Sequence, residues 1–141
     1  IDADGIAAMA RAGTVGVLLP GAMVYLRDVS PPVGALREAG VPLAIATDLN
    51  PGTSPIANPW ICATLACVTM GVTVAEALRG ITVVAARALG RADLGVVRPG
   101  AAADLVLRRP LGADPPSAAS LIHAMSGART AAVWSGGARL R

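Results

Sequence analysis

Two continuous apolar runs constrain the fold of this chain more than any other feature. They are Thr14–Leu19 (TVGVLL) and Val41–Thr47 (VPLAIAT). An apolar run without alternation is typical of a strand covered on both faces, as in a parallel sheet. The segment between them, Pro31–Gly40, has proline in its first turn and glycine at its end, which predicts a short helix. Because parallel strands need a crossover connection, we predict a right-handed βαβ unit and an α/β fold.

Helix signals dominate on both sides of this unit. A turn at Pro20–Gly21 is expected directly after the first strand. Three helices follow the second strand with no strand between them. The predicted helices run from Asp2 or Asp4 through Arg11 with Gly13 as the end, from Asn58 and Pro59 to Gly71, from the Thr73–Glu76 capping box onward, and from Ile81 to Leu89 with Gly90 as the end.

The pattern changes after Gly90 to short β structure. We predict a strand at Asp104–Leu107, a proline-rich link over residues 110–116 and a helix at Ser117–Met125. A final hairpin is expected to turn at Gly136–Gly137. We therefore divide the chain into an α/β part, residues 1–90, and a small β part, residues 91–141.

Composition excludes several classes of function. The chain is 54% hydrophobic with only 2% aromatic residues, and its net charge of +3 comes from scattered arginines, so a nucleic-acid surface is not expected. Cys62 and Cys67 are five residues apart, on different faces of a helix, and are interpreted as small buried hydrophobes in a reducing compartment. The longest apolar stretch, Ile61–Ala75, is shorter than the ~18 residues of a membrane span. We expect a cytoplasmic protein without a membrane partner.

The second strand ends in a carboxylate, Asp48, and a loop of turn residues, Asn50–Pro55 (NPGTSP). Ligands of parallel α/β folds bind at the carboxyl ends of the strands. A carboxylate held there can coordinate a cation or accept a proton. The alternative is a helix cap, since Asp often has that role in such loops. Asp48 lies ten residues before Asn58, the predicted cap of the next helix, and cannot cap that helix in sequence.

Five segments carry a resemblance to a known family. Ala46–Pro55 (ATDLNPGTSP) closely resembles the signature of the imidazolonepropionases, metal-dependent amidohydrolases of histidine degradation. Gly13–Ala22 is similar to the same family's preceding strand and loop, and Pro31–Asp48 to its approach to the last barrel strand. Leu65–Gly90 is similar to the helices that follow. Leu94–Leu107 (LGVVRPGAAADLVL) resembles a segment shared more widely among amidohydrolases. The resemblance covers nearly the whole chain.

The resemblance implies a fold, a metal and a set of site residues. The chain would be the C-terminal part of a (β/α)8 barrel, with its last two strands and following helices, plus C-terminal strands of a small composite β domain. Asp48 would follow the eighth strand, bind the single zinc or iron ion and accept a proton from the attacking water. Asn50 and Gly52 would hold the glutamate-like end of the small-molecule substrate, and Thr53 its imidazolone ring. The full-length enzyme would be a homodimer.

The sequence holds one carboxylate for this site and lacks the histidines of the family. Its single histidine, His123, has no metal-ligand spacing and is interpreted as a surface or packing residue. The remaining ligands are therefore expected outside this chain, which alone would be inactive. Ser54 is rejected as a nucleophile because no histidine base is near. Trp60 and Trp134 are interpreted as packing residues.

The leading functional hypothesis is hydrolysis of 4-imidazolone-5-propanoate to N-formimidoyl-L-glutamate. One alternative is another amidohydrolase, a cyclic-amide hydrolase or a deaminase, which substrate turnover would distinguish. A second is a stand-alone α/β binding domain without chemistry. An H-x-H strand encoded upstream in an open reading frame would argue against the second alternative.

Overall fold

The computed structural model describes residues 1–109, 117–124 and 128–141. In chain order the elements are α1 (Ala3–Ala12), β1 (Gly16–Leu18), α2 (Pro20–Leu26), α3 (Val33–Glu38), β2 (Leu43–Ile45), α4 (Pro59–Met70), α5 (Val74–Gly80), α6 (Val83–Ala88), β3 (Leu105–Arg109), α7 (Ala118–His123), β4 (Arg129–Ser135) and β5 (Ala138–Arg139). None of the helices in the described part of the chain is long and apolar enough to cross a membrane.

The two apolar runs form a parallel pair of strands, as predicted. In the register of β1 and β2, Gly16 lies opposite Leu43 and Leu18 lies opposite Ile45. Helix α3 lies between them in the chain. Both strands are shorter than expected. Pro42 lacks an N–H and Pro20 already begins a helix, so neither apolar run can stay in the ladder over its full length.

The expected turn at Pro20–Gly21 is wrong, because these residues begin helix α2. Pro20 occupies the first helical turn, where its missing N–H has no helical partner to lose. Arg27 ends the helix in the left-handed conformation, with φ of 55°. The apolar residues after Pro20 continue this helix, which places it beside the carboxyl ends of the strands.

The other helix ends follow the predicted signals. Asp2 accepts a hydrogen bond from the Gly5 N–H at 2.9 Å and caps α1. Asn58 accepts from the Trp60 N–H at 3.0 Å and caps α4. The Thr73–Glu76 capping box opens α5, and Gly13, which follows α1, and Gly71, which follows α4, are both left-handed. Helix α6 begins at Val83, two residues later than predicted.

Small side chains fill the main core. Cys62, Ala63, Ala66 and Ala77 of α4 and α5 are fully buried, together with Ile122 of α7. Alanine lets helices approach closely, which suits a chain with so few aromatic residues. Cys67 is half-buried, and both cysteines are free. Burial raises the pKa of both thiols, which favours the neutral form.

The tail forms an antiparallel sheet of β3, β4 and β5 in that order. Gly136–Gly137 make the predicted hairpin turn between β4 and β5, and β3 runs on to Arg109 past a bulge after Leu107. Helix α7 begins after its predicted cap, Ser117, and its expected end at Met125 lies outside the described residues, as does the proline-rich link.

The two tryptophans pack against arginines, consistent with the packing roles predicted for them. The Arg108 guanidinium of β3 lies 4.5 Å from the centre of the Trp60 ring at the start of α4. The Arg139 guanidinium lies 6.0 Å from the Trp134 ring. At such distances the ring face attracts the cation. The Trp60 contact joins the tail sheet to the helical part of the chain.

Candidate functional site

Asp48 lies three residues after β2, at the carboxyl end of the parallel pair. Asp48 is exposed to solvent and lines an open cleft of about 460 Å³. Leu19, Met23 and Leu26, from the start and the exposed side of α2, supply an apolar wall, and Thr53 adds a polar group. A carboxylate at the edge of an apolar cleft can bind a cation or hold a proton while the apolar wall receives an organic ligand.

The backbone of Asp48 has an unusual conformation. Its φ is 50°, in the left-handed region that residues with a Cβ seldom adopt. The Asp48 carbonyl accepts a hydrogen bond from Asn50 Nδ2 at 2.7 Å. The carbonyl of Thr47, one residue earlier, accepts from Ser54 Oγ at 2.6 Å. Two side chains of the loop therefore hold the backbone on both sides of Asp48.

Asn50 is the centre of the loop. Its Oδ1 accepts hydrogen bonds from the Gly52 N–H at 3.0 Å, the Thr53 N–H at 2.7 Å and Thr53 Oγ1 at 3.1 Å. The Asn50 N–H donates to the Ser54 carbonyl at 3.1 Å and closes the loop. The structure thus brings together all four predicted site residues, Asp48, Asn50, Gly52 and Thr53, in one hydrogen-bonded turn. Their mutual bonds organise the loop.

The described residues do not make a complete metal site. No group of three His, Cys, Asp or Glu side chains that could hold a metal ion occurs among residues 1–109, 117–124 and 128–141. His123 is the last residue of α7 and is exposed. A catalytic zinc site takes about three protein ligands. The Asp48 carboxylate has oxygen atoms of a kind that zinc accepts as ligands, but a single carboxylate does not make a metal site.

Two contributions to the site were missed from the sequence. Ser54 is fully buried and bonds the Thr47 carbonyl, a partner that the sequence does not predict. The turn predicted at Pro20–Gly21 leaves out helix α2 and with it this side of the cleft. Proline at a first helical position followed by an apolar run was the available signal for α2. No local signal reveals the Ser54 bond, because its partner lies seven residues away.

The chain is similar to several curated imidazolonepropionases. Over 108 residues it is 56% identical to an imidazolonepropionase from Cereibacter sphaeroides (strain KD131) and to one from Ectopseudomonas mendocina. Each match covers 76% of this chain and 27% of the relative, so the chain spans about a quarter of the curated relatives it matches. A matched stretch of that length in a chain of 141 residues includes Asp48 wherever it starts. These relatives confirm the predicted resemblance.

A solved structure and a family model also match this chain. A crystal structure of an adenosine deaminase from Xanthomonas campestris with bound zinc superimposes with a TM-score of 0.83 at 25% identity, covering 99% of this chain and 34% of that protein. Residues 4–140 match the model of the amidohydrolase family. That match covers almost the whole sequence, including the loop of Asp48 and the tail sheet. The chain therefore belongs to the amidohydrolase family.

Proposed function

We propose that this chain is the C-terminal portion of an imidazolonepropionase, which hydrolyses 4-imidazolone-5-propanoate to N-formimidoyl-L-glutamate in histidine degradation. The observation that carries the proposal is Asp48, held in the left-handed conformation at the carboxyl end of a parallel strand by the loop NPGTSP. The identity of 56% to imidazolonepropionases over a stretch that includes this loop supports the same substrate.

Asp48 is proposed as the proton acceptor and as one ligand of a zinc or iron ion, with the remaining ligands outside this sequence. A divalent ion, when bound, supplies Lewis acidity and a nucleophilic water. The bound zinc of the adenosine deaminase structure supports a divalent ion in this family. In the reaction, water oxygen bonds to the ring carbonyl carbon, the C–N bond breaks, and the departing nitrogen takes a proton. Asp48 holds that proton at a carboxylate oxygen between the two events.

Asn50, Gly52 and Thr53 are proposed to bind the substrate. The N–H groups of Gly52 and Thr53 both point at one oxygen, Asn50 Oδ1. A carboxylate oxygen accepts such paired N–H groups more strongly than an amide oxygen does. The propionate group of the substrate would accept these N–H groups together with the second proton of Asn50 Nδ2, and the imidazolone ring would lie beside the Thr53 hydroxyl.

The architecture of the complete enzyme is part of the proposal. Strands β1 and β2 would be the last two strands of a (β/α)8 barrel, and α4, α5 and α6 would follow the last strand. Residues 1–90 would belong to the barrel and residues 91–141 to a small β domain. The parallel register of β1 and β2 and the antiparallel tail sheet support this division. The enzyme is proposed to act as a homodimer on a small molecule, and the 141-residue chain alone is proposed to be inactive.

The proposal is tested on the full-length enzyme that contains this chain. We expect it to convert 4-imidazolone-5-propanoate to N-formimidoyl-L-glutamate, followed by proton NMR. A cyclic amide without the propionate group and an aminated heterocycle are the comparison substrates. Faster conversion of either one would assign the chain to a different amidohydrolase activity and would overturn the proposed substrate.

A further inference from the structure

We propose that Ser54 is a positioning residue that sets the direction of the Asp48 side chain. This inference rests on the proposed function of Asp48. Ser54 is fully buried, so its hydroxyl does not contact the cleft. Its Oγ donates a 2.6 Å hydrogen bond to the carbonyl of Thr47, the residue directly before Asp48. Ser54 therefore acts on Asp48 through the backbone and does not itself touch the reacting atoms.

The geometry of the two loop bonds explains this effect. The Thr47 carbonyl belongs to the peptide plane on the amino side of Asp48, and that plane defines φ of Asp48. The Asp48 carbonyl belongs to the plane on its carboxyl side, which defines ψ. Ser54 Oγ holds the first plane and Asn50 Nδ2 holds the second. With both planes fixed, the Cα–Cβ bond of Asp48 has one direction, although φ of 50° is disfavoured for a residue with a side chain.

Ser54 is itself held tightly. Its carbonyl accepts a hydrogen bond from the Asn50 N–H at 3.1 Å. On the other side it lies against Gly21 of α2, where an added Cβ would come within 3.7 Å of Ser54 Cβ and closer still to Ser54 Oγ. Because the site is fully buried, water has no access with which to replace a lost hydroxyl. The close packing of Ser54 against Gly21 thus keeps the Ser54 hydroxyl in place on the backbone that precedes Asp48.

The competing explanation is that the Ser54 hydroxyl only stabilises the fold. Thr64 provides the matched control for this explanation. Thr64 is also buried, and its hydroxyl proton is shared between the Trp60 carbonyl, at 3.0 Å within α4, and the carbonyl of Ile122. Ser54→Ala and Thr64→Val each remove a buried hydroxyl bonded to a backbone carbonyl. Only the first lies in the loop of Asp48, so the two variants separate positioning from stability.

The test uses the full-length enzyme and three variants, Ser54→Ala, Thr64→Val and Asp48→Ala. For Ser54→Ala we expect kcat to fall by about 10- to 100-fold with KM changed by less than about threefold. For Thr64→Val we expect kcat to stay within about twofold of wild type. Amide hydrogen exchange of the metal-free proteins is the second readout. We expect it to be faster at Asp48–Ser54 in Ser54→Ala and unchanged there in Thr64→Val.

A second pair of variants covers the case in which Ser54→Ala does not fold. Gly21→Ala pushes a methyl group toward Ser54 Oγ, whereas Gly34→Ala adds one in α3 where nothing lies within 4 Å. We expect the loss of kcat in the first variant only. Wild-type kcat and exchange in Ser54→Ala, or an equal loss of kcat in Thr64→Val, would overturn the positioning role while leaving the proposed function intact. Undiminished turnover by Asp48→Ala would overturn both.

Discussion

Arg37 and Glu76 join helix α3 to helix α5 through a two-point ion pair. Arg37 Nε lies 2.5 Å from Glu76 Oε1, and Arg37 Nη2 lies 2.8 Å from Glu76 Oε2. Arg37 Nη2 also donates to the carbonyl of Gly71 at the end of α4, at 2.8 Å. Glu76 Oε2 accepts from the Thr73 N–H in the capping box. One pair of side chains thus connects three helices.

This pair predicts a dependence of stability on pH. The hydrogen bond from Arg37 is the main cause that lowers the pKa of Glu76 from 4.5 to about 2. Because the folded pKa lies below the unfolded one, the stabilisation is complete above about pH 4.5 and is lost as the pH falls toward 2. We expect Glu76→Gln to lower the thermal unfolding midpoint at pH 6, and to show a shallower fall of that midpoint between pH 5 and pH 3.

Asp93→Asn is the control for this measurement. The Arg91 hydrogen bond also lowers the pKa of Asp93 to about 2. Those two side chains are about half exposed and only one residue lies between them, so solvent screens the pair and it can persist in the unfolded chain. We expect the wild-type slope in Asp93→Asn. Equal slopes for wild type and Glu76→Gln would contradict the role of the Arg37–Glu76 pair.

Substitution of Gly95 is expected to lower the stability of the fold strongly. It has φ of 72°, and a Cβ there would lie 2.6 Å from the Thr82 carbonyl oxygen and 2.6 Å from the Val83 nitrogen. Gly100 has φ of 81° with nothing within 4 Å. Gly100→Ala therefore carries only the backbone strain, about 1–2 kcal/mol. We expect Gly95→Ala to lower the thermal midpoint distinctly further, since rigid backbone must also move. Equal midpoints would show that the close approach does not occur.

Much of the fold could be predicted because its signals are local. Asp2, Asn58 and the Thr73–Glu76 pair cap the helices that follow them, and each bond lies within three residues of sequence. The two apolar runs form the predicted parallel pair, but β1 is not covered on both faces, since Val17 is 49% exposed. These predictions needed no knowledge of distant contacts.

The remaining features depend on contacts that the sequence pattern does not report. The residue types at Pro20–Gly21 predict a turn, but these residues begin helix α2. The close packing of α2 on Ser54 leaves no room for a side chain at Gly21. The left-handed Asp48 is held by bonds from Asn50 and Ser54, and residue types alone do not specify which carbonyl each one meets. The contact of Arg108 with Trp60 joins segments almost fifty residues apart. Tertiary packing decides all three.

Ile122 and His123, adjacent at the end of α7, are expected to respond differently to substitution. Ile122 is fully buried in the main core, whereas His123 is exposed. In the full-length enzyme we expect His123→Ala to leave turnover and metal content within about twofold of wild type. Ile122→Ala should cost about 2–5 kcal/mol of unfolding free energy because it leaves a cavity. A loss of bound metal in His123→Ala, measured by elemental analysis, would contradict the surface role of this histidine.

The apolar surface beside α2 predicts how the 141-residue polypeptide behaves by itself. Large apolar side chains are exposed there, including Val24, Tyr25, Leu26 and Val29, the last at 86%. Contiguous apolar patches of more than a few hundred Å² favour association. We expect sedimentation velocity at micromolar concentration to show self-association, and the same sample to have no imidazolonepropionase activity. A compact monomer with a cooperative melting transition would indicate a self-sufficient domain.

A segment transplant tests whether this chain contributes Asp48 and its loop to an imidazolonepropionase. In the Cereibacter sphaeroides relative, the 108 matched residues are replaced by their counterparts from this chain, with and without Asp48→Ala. The measurement is kcat for 4-imidazolone-5-propanoate. We predict that the chimera turns over within about tenfold of the parent, since one segment is replaced by a close homologue. We also predict that Asp48→Ala abolishes turnover in a folded protein. A folded, metal-loaded chimera without activity, or one whose activity survives Asp48→Ala, would show that this segment does not supply the catalytic carboxylate of an imidazolonepropionase.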